Sequence, residues 1–176
     1  MMMKDKEKGY IHVYTGDGKG KTTAAFGLAL RSAGAGKKVF IGQFVKGMHY
    51  SELDIISKIP NITIRQYGLD CFIYSEPSKA DIDAARAGFL EMKEILCSGE
   101  YDLVIMDEAN IAVYYKLFSF EELKQALLSR AQHVEVVITG RKAPQELIEM
   151  ADLVTEMKEI KHYYTKGVQA RTGIEK

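Results

Sequence analysis

The stretch Thr15-Gly16-Asp17-Gly18-Lys19-Gly20-Lys21-Thr22-Thr23 restricts what this chain can become more than any other. It follows the β-rich run YIHVY and precedes AAFGLALRSAG, an Ala/Leu segment of helical character that Gly34 and Gly36 bring to a stop. A glycine loop between a strand and a helix lets successive backbone N–H groups converge on phosphate oxygens, and the helix presents its positive end to them. Lys21 would set a cation over the phosphates and Thr22 a hydroxyl on Mg²⁺, while Lys19 adds a second positive charge within the loop. One position departs from the common G-x-x-x-x-G-K-[ST] pattern. Thr15 stands where the first glycine belongs, and glycine occurs at 16 and 18 instead.

The rest of the chain supplies the context such a loop requires. KKVFIGQFV, NITIRQY, YDLVIMDEAN, HVEVVITG and DLVTEMKEI read as further strands. SELDIISKI (opened by Ser51, ended by Pro60), KADIDAARAGFLEMKEILCSG, FEELKQALLSR (capped by Ser119) and APQELIEMA read as helices. Strands alternating with helices predict an α/β protein with a largely parallel sheet and helices on both faces. With 176 residues, 47% hydrophobic and 27% charged, the chain is expected to form one domain over residues 10–176 behind a flexible charged tail at 1–9. Lys plus Arg and Asp plus Glu number 24 each, so no global basic field draws it to nucleic acid or to an anionic membrane. Two cysteines without CxxC spacing, and the lack of a secretory or long apolar run, fit a reducing cytoplasm.

A second chemical signal is LVIMDE, an apolar strand running into Asp107 and Glu108. A nucleotide-binding domain of this type needs an acid at a strand end to complete metal binding, directly or through water. Glu108 admits two roles: base for an attacking water, as in many ATPases, or part of the metal's surroundings. Arg141, in ITGRKAP, follows a strand at the carboxyl edge of the sheet, where open α/β sheets bind ligands; contact with ligand and simple solvation both remain open. GLDCFIYSEPSK, between a strand and a helix, is either a core-covering loop or a ligand wall. The tail MKEIKHYYTKGVQARTGIE mixes cations with Tyr163 and Tyr164, and its aromatic content argues that it packs on something. His162 has no partner at metal-ligand spacing.

Together, TGDGKGKTTAAFGLALR, VIMDEAN and VVITGRKAPQELIEMADLVTEMKEIKHYYTKGVQARTGIE resemble the ATP:corrinoid adenosyltransferases of the P-loop type, from about Tyr10 to Glu175. The resemblance implies a P-loop NTPase (RecA-like) fold. It also implies transfer of the 5′-deoxyadenosyl group of ATP to Co(I) of a reduced corrinoid, with release of triphosphate. The nucleotide in this family is held in a reversed sense, with C5′ toward the nucleophile. On the same resemblance, Thr15, Gly16, Asp17, Gly18, Lys19, Gly20, Lys21, Thr22, Thr23 and Arg141 hold ATP and its phosphates. Thr22, Asp107 and Glu108 serve Mg²⁺ (or Mn²⁺), and Lys21, Thr22 and Glu108 carry catalysis, with Glu108 no longer a base.

Phe72, Tyr74, His162 and Arg171 are placed on the corrinoid side, the aromatics helping to strip the lower axial ligand from Co(II). Better-known members carry a Gly-Phe-Thr-Trp-like run in this neighbourhood, whereas this chain has no Trp. A homodimer and an electron-donor reductase such as a flavoprotein are also implied. A P-loop ATPase or kinase with another acceptor, and a nucleotide-gated corrinoid-binding module, are the alternative readings.

Overall fold

The computed structural model describes residues 7–69 and 76–176. Its six strands are β1 (Ile11–Thr15), β2 (Val39–Phe44), β3 (Ile62–Tyr67), β4 (Leu103–Asp107), β5 (Glu135–Thr139) and β6 (Leu153–Glu156). They lie side by side in the order β3-β2-β4-β5-β1-β6, and every neighbouring pair is parallel. Parallel strands need crossover connections. The helices supply them: α1 (Lys21–Gly34), α2 (Leu53–Ile56), α3 (Lys79–Ser98), α4 (Ala109–Tyr114), α5 (Phe120–Leu128) and α6 (Gln145–Met150). The expected α/β architecture is therefore present, with a sheet that is wholly parallel.

Strands β2 and β4 are buried at every position, which is why VFIGQF and LVIMD are close to unbroken apolar runs. Alternate side chains of β4 serve opposite faces. Val104 and Met106 pack with Phe89, Met92 and Leu96 of α3 and with Leu123 and Leu127 of α5. Leu103 and Ile105 pack with Ala25, Phe26 and Ala29 of α1 and Ile56 of α2. Serine caps start two helices: Ser78 forms a reciprocal capping box with Asp81, and Ser119 forms one with Glu122, as the sequence predicts for the latter.

Three local expectations need correction. Ser51 does not cap α2, which begins after Glu52 and is a single turn; the Ser51 hydroxyl instead donates to the Lys176 carbonyl oxygen at 3.0 Å. The segment after Asp107 turns at once into α4, which the sequence hides because Glu108 at the cap position makes no side-chain cap bond and ANIAVY carries two β-branched residues. The C-terminal segment adds a short 3₁₀ turn, Tyr163–Lys166, to the short strand foreseen there. The charged residues 1–6 and the segment 70–75, with Cys71, lie outside the described residues. Among the described residues, no helix is long and apolar enough to cross a membrane.

Candidate functional site

All six strands point the same way, so their carboxyl ends deliver loops to one edge of the sheet, where ligands of open α/β folds bind. The glycine loop leaves that edge at Thr15. Its glycines have definite work: Gly16 has φ +94°, and a Cβ there would meet the Met157 carbonyl oxygen at 2.5 Å. Gly18 donates its N–H to the same carbonyl at 2.7 Å, because the chain leaving β6 lies directly against the loop. Thr15 has its own use. Its hydroxyl accepts from the Ala143 N–H at 3.4 Å and so ties the loop to the segment after β5 that carries Arg141, which a glycine could not do.

Lys21 opens α1, and its ammonium curls back to donate to the carbonyl oxygens of Gly16 (2.8 Å) and Gly18 (2.6 Å). Burial draws its affinity for a proton below the ordinary lysine value, against the opposing pull of Glu108. Thr22, one residue on, donates to Oδ1 of Asp107 at 2.9 Å.

Asp107, the last residue of β4, is fully buried and accepts from four groups. Thr22 and Thr139 (2.6 Å) reach Oδ1, while Gln43 (3.0 Å) and Lys46 (2.8 Å) reach Oδ2. Burial alone would raise its pKa, but the Lys46 ammonium and the hydrogen bonds from Thr139 and Gln43 hold the carboxyl below its ordinary range. Burial would likewise pull Lys46 down, and Asp107 overrides it, keeping the ammonium charged. Glu108 goes the other way: burial and the neighbouring Asp107 charge raise its pKa, opposed by Lys46, Lys21 and Arg141. It stands in the left-handed region, at φ +57°, with its N–H donated to Thr139 Oγ1 at 3.0 Å.

Lys46, Gln43 and Thr139 were missed in the sequence. Each lies near or just past the carboxyl end of a strand that adjoins β4, so the topology brings it to the acid, and the visible signal was a polar residue at the carboxyl end of an apolar run.

Above these groups opens a cleft of 680 Å³, within the usual range for small-molecule sites. Lys19, Thr23, Lys46, Glu108, Phe26 and Tyr50 contribute to its wall, and Gly173–Lys176 close one side. Arg141 and Asp17 are exposed, and both lie within electrostatic reach of Lys21. A second recess of 430 Å³ lies against the outer side of the glycine loop, formed by Gly18, Lys19, Lys158, Lys161, His162 and Tyr163. His162 Nδ1 accepts from the Tyr164 N–H at 3.0 Å, capping the 3₁₀ turn. Arg171 pairs with Glu175 at 3.2 Å, and Glu175 also contacts Lys19 at 3.4 Å. The C-terminal aromatic segment thus packs against the loop. Phe72 and Tyr74 lie outside the described residues.

No group of three or more His, Cys, Asp or Glu side chains able to cage a metal occurs among the described residues. What is present is a hydroxyl, Thr22, beside two acids, Asp107 and Glu108. That donor set suits Mg²⁺, which keeps several waters and binds through one or two carboxylates together with substrate phosphates. The Lys46 ammonium is in contact with both Thr22 and Asp107, so a positive charge already rests on this pair.

Comparison with known proteins identifies the family. Residues 7–175 match the profile of a family described as ATP:corrinoid adenosyltransferase BtuR/CobO/CobP. A corrinoid adenosyltransferase of Escherichia coli (strain K12) is 36% identical over 169 residues, covering 96% of this chain and 86% of the relative. One from Sinorhizobium sp is 38% identical, covering 99% of this chain and 84% of the relative. The corrinoid adenosyltransferase CobA of Salmonella typhimurium is 35% identical, covering 97% and 87%.

Proposed function

The chain belongs to the ATP:corrinoid adenosyltransferase family and is an enzyme of that activity, and we propose how its residues perform it. ATP lies in the cleft with its phosphates on Gly16–Thr23 and its C5′ directed at the corrinoid. Co(I) attacks C5′ with its own electron pair, the bond from C5′ to the triphosphate oxygen breaks, and that oxygen takes the electron pair. No proton has to move in this step, so no general base is needed, and Glu108 belongs to the metal's surroundings. The enzyme's tasks are to align cobalt with C5′ and to neutralise the departing triphosphate.

The observation that supports this reading best is the positive field at the floor of the cleft, where the Lys21 ammonium sits on the Gly16 and Gly18 carbonyls and the Lys46 ammonium lies 2.8 Å from Asp107. Lys19 and the amides of the glycine loop add to that field. Thr22, Asp107 and Glu108 would hold Mg²⁺ (or Mn²⁺), which when bound supplies charge neutralisation of the phosphate oxygens. Phe72, Tyr74, His162 and Arg171 would face the corrinoid. Their role, like operation in the cytoplasm as a homodimer with a flavoprotein-type reductase as electron source, rests on the family resemblance. Residues 10–176 would act as one nucleotide-binding unit.

Equilibrium ATP binding to the protein and to Lys21→Ala tests the seat of the phosphates. Loss of binding in the variant is expected. Equal affinity would remove the loop from the proposal.

A further inference from the structure

Thr22, Asp107 and Lys46 form a closed triangle at the floor of the cleft. The Thr22 hydroxyl donates to Asp107 at 2.9 Å, while the Lys46 ammonium donates to Asp107 at 2.8 Å and to Thr22 Oγ1 at 3.3 Å. Thr22 has committed its single proton to Asp107, so it meets Lys46 with a lone pair. Asp107 is committed too, since Thr22, Thr139, Gln43 and Lys46 take up the roughly four acceptor positions of a carboxylate. A divalent ion on Thr22 and Asp107 would need those oxygens. The cation that has them is Lys46.

We infer that Lys46 is an internal counter-cation that holds the Thr22–Asp107 pair while the nucleotide is absent and withdraws from it when the metal and triphosphate enter. The inference rests on the assignment of the metal to these residues. The fold builds the position: Val45, at φ +58°, adopts a left-handed conformation costly for a β-branched residue, and β2 ends there, just before Lys46. The Lys46 side chain is only 15% exposed, with its ammonium 5.5 Å from the centre of the Tyr50 ring.

Retreat is open to it as well. Lys46 forms part of the cleft wall, so its ammonium can turn from Asp107 toward phosphate oxygens, whereas Gln43 and Thr139 are fully buried and stay with the carboxylate. Metal alone has to displace a buried ion pair. Metal with triphosphate offers the displaced ammonium a new anion. Lys46 thereby couples metal loading to nucleotide loading, and once turned it joins Lys19 and Lys21 in neutralising the leaving group.

The probe is Mn²⁺ titrated into the nucleotide-free protein, with free ion read by electron paramagnetic resonance. Lys46→Met should bind Mn²⁺ on the order of tenfold more tightly, because it leaves Asp107 buried without its counter-charge. Lys46→Arg should bind as weakly as the natural protein. Lys124→Met, which removes an exposed charge outside the cleft, should change affinity less than about twofold. Adding Thr22→Val to Lys46→Met should abolish the gain. If Lys46→Met binds no more tightly while Thr22→Val still weakens Mn²⁺ binding, the metal assignment stands and the role of Lys46 is overturned. If Thr22→Val has no effect in either background, the metal assignment itself fails. Should Lys46→Met not fold, Lys46→Gln keeps a donor for Asp107 without charge, and unchanged affinity there overturns the inference equally.

Discussion

Thr22 Oγ1 donates to Asp107 Oδ1 across 2.9 Å, although the two residues are 85 positions apart in the chain. Thr22 lies in the first turn of α1, which follows β1, and β1 is not a neighbour of β4. β5 stands between β1 and β4, and Thr139 at its end reaches the same carboxylate oxygen at 2.6 Å. One buried carboxylate thus fixes the first turn of α1, the end of β5 and, through Gln43, the end of β2 relative to one another.

Thr139→Val tests that joint. The hydroxyl donates to Asp107 and accepts from the Glu108 N–H, so its loss leaves two buried groups short of a partner. The expected cost is about 1–3 kcal/mol, read from urea unfolding. An unchanged midpoint and slope would show that the hydroxyl is dispensable to the network.

Glu108→Gln should stabilise the ligand-free protein at neutral pH. Burial and Asp107 raise the folded-state pKa of Glu108 above its ordinary value, so its ionisation costs stability as pH rises through that window and the loss persists above it. Asp107 runs the opposite way: its lowered folded-state pKa gives stability that is present above the ordinary value and is lost as pH falls through the folded one. In Glu108→Gln only the second branch should remain, with a melting temperature at pH 7 higher by a few degrees. With Mg²⁺ and ATP the variant should gain less than the natural protein does. A lower melting temperature without ligand would contradict the origin given for the shift.

Glu175→Gln should loosen the C-terminal segment. The Glu175 carboxylate gathers the Tyr163 hydroxyl, the Arg171 guanidinium and N–H, and Lys19 of the glycine loop. Its neutral analogue gives up the charge-assisted part of those contacts. Tryptic cleavage after Lys161 or Lys166 should accelerate. An unchanged rate would mean the segment is held by other contacts.

Phe72→Ala addresses the corrinoid side. ATP affinity should stay as it is while adenosyl transfer, or formation of four-coordinate Co(II), falls. If ATP affinity drops as far as in Lys21→Ala, Phe72 is not a corrinoid residue.

The pattern of apolar runs and glycine breaks made the parallel sheet legible in the sequence, and the loop and LVIMDE made its charged centre legible. Those signals are local: Ser119 and Glu122, three residues apart, cap one helix. What escaped depends on contacts between distant segments. Lys46 reads as an ordinary surface lysine until the pairing of β2 with β4 brings it to Asp107. Thr15 reads as an oddity of the phosphate loop until Ala143 arrives to meet its hydroxyl. Ser51 has the form of a cap, and the C-terminal segment takes its hydroxyl instead.

The central claim is that cobalt attacks C5′ and the three phosphates leave as one unit. The direct test mixes the protein anaerobically with ATP, Mg²⁺ and chemically reduced cobalamin, follows the visible spectrum, and quantifies the phosphate products. A light-sensitive alkylcobalamin spectrum with one triphosphate per cobalamin is the predicted result. ADP and phosphate beside an unalkylated corrinoid would contradict it and return Glu108 to consideration as the base of a hydrolase.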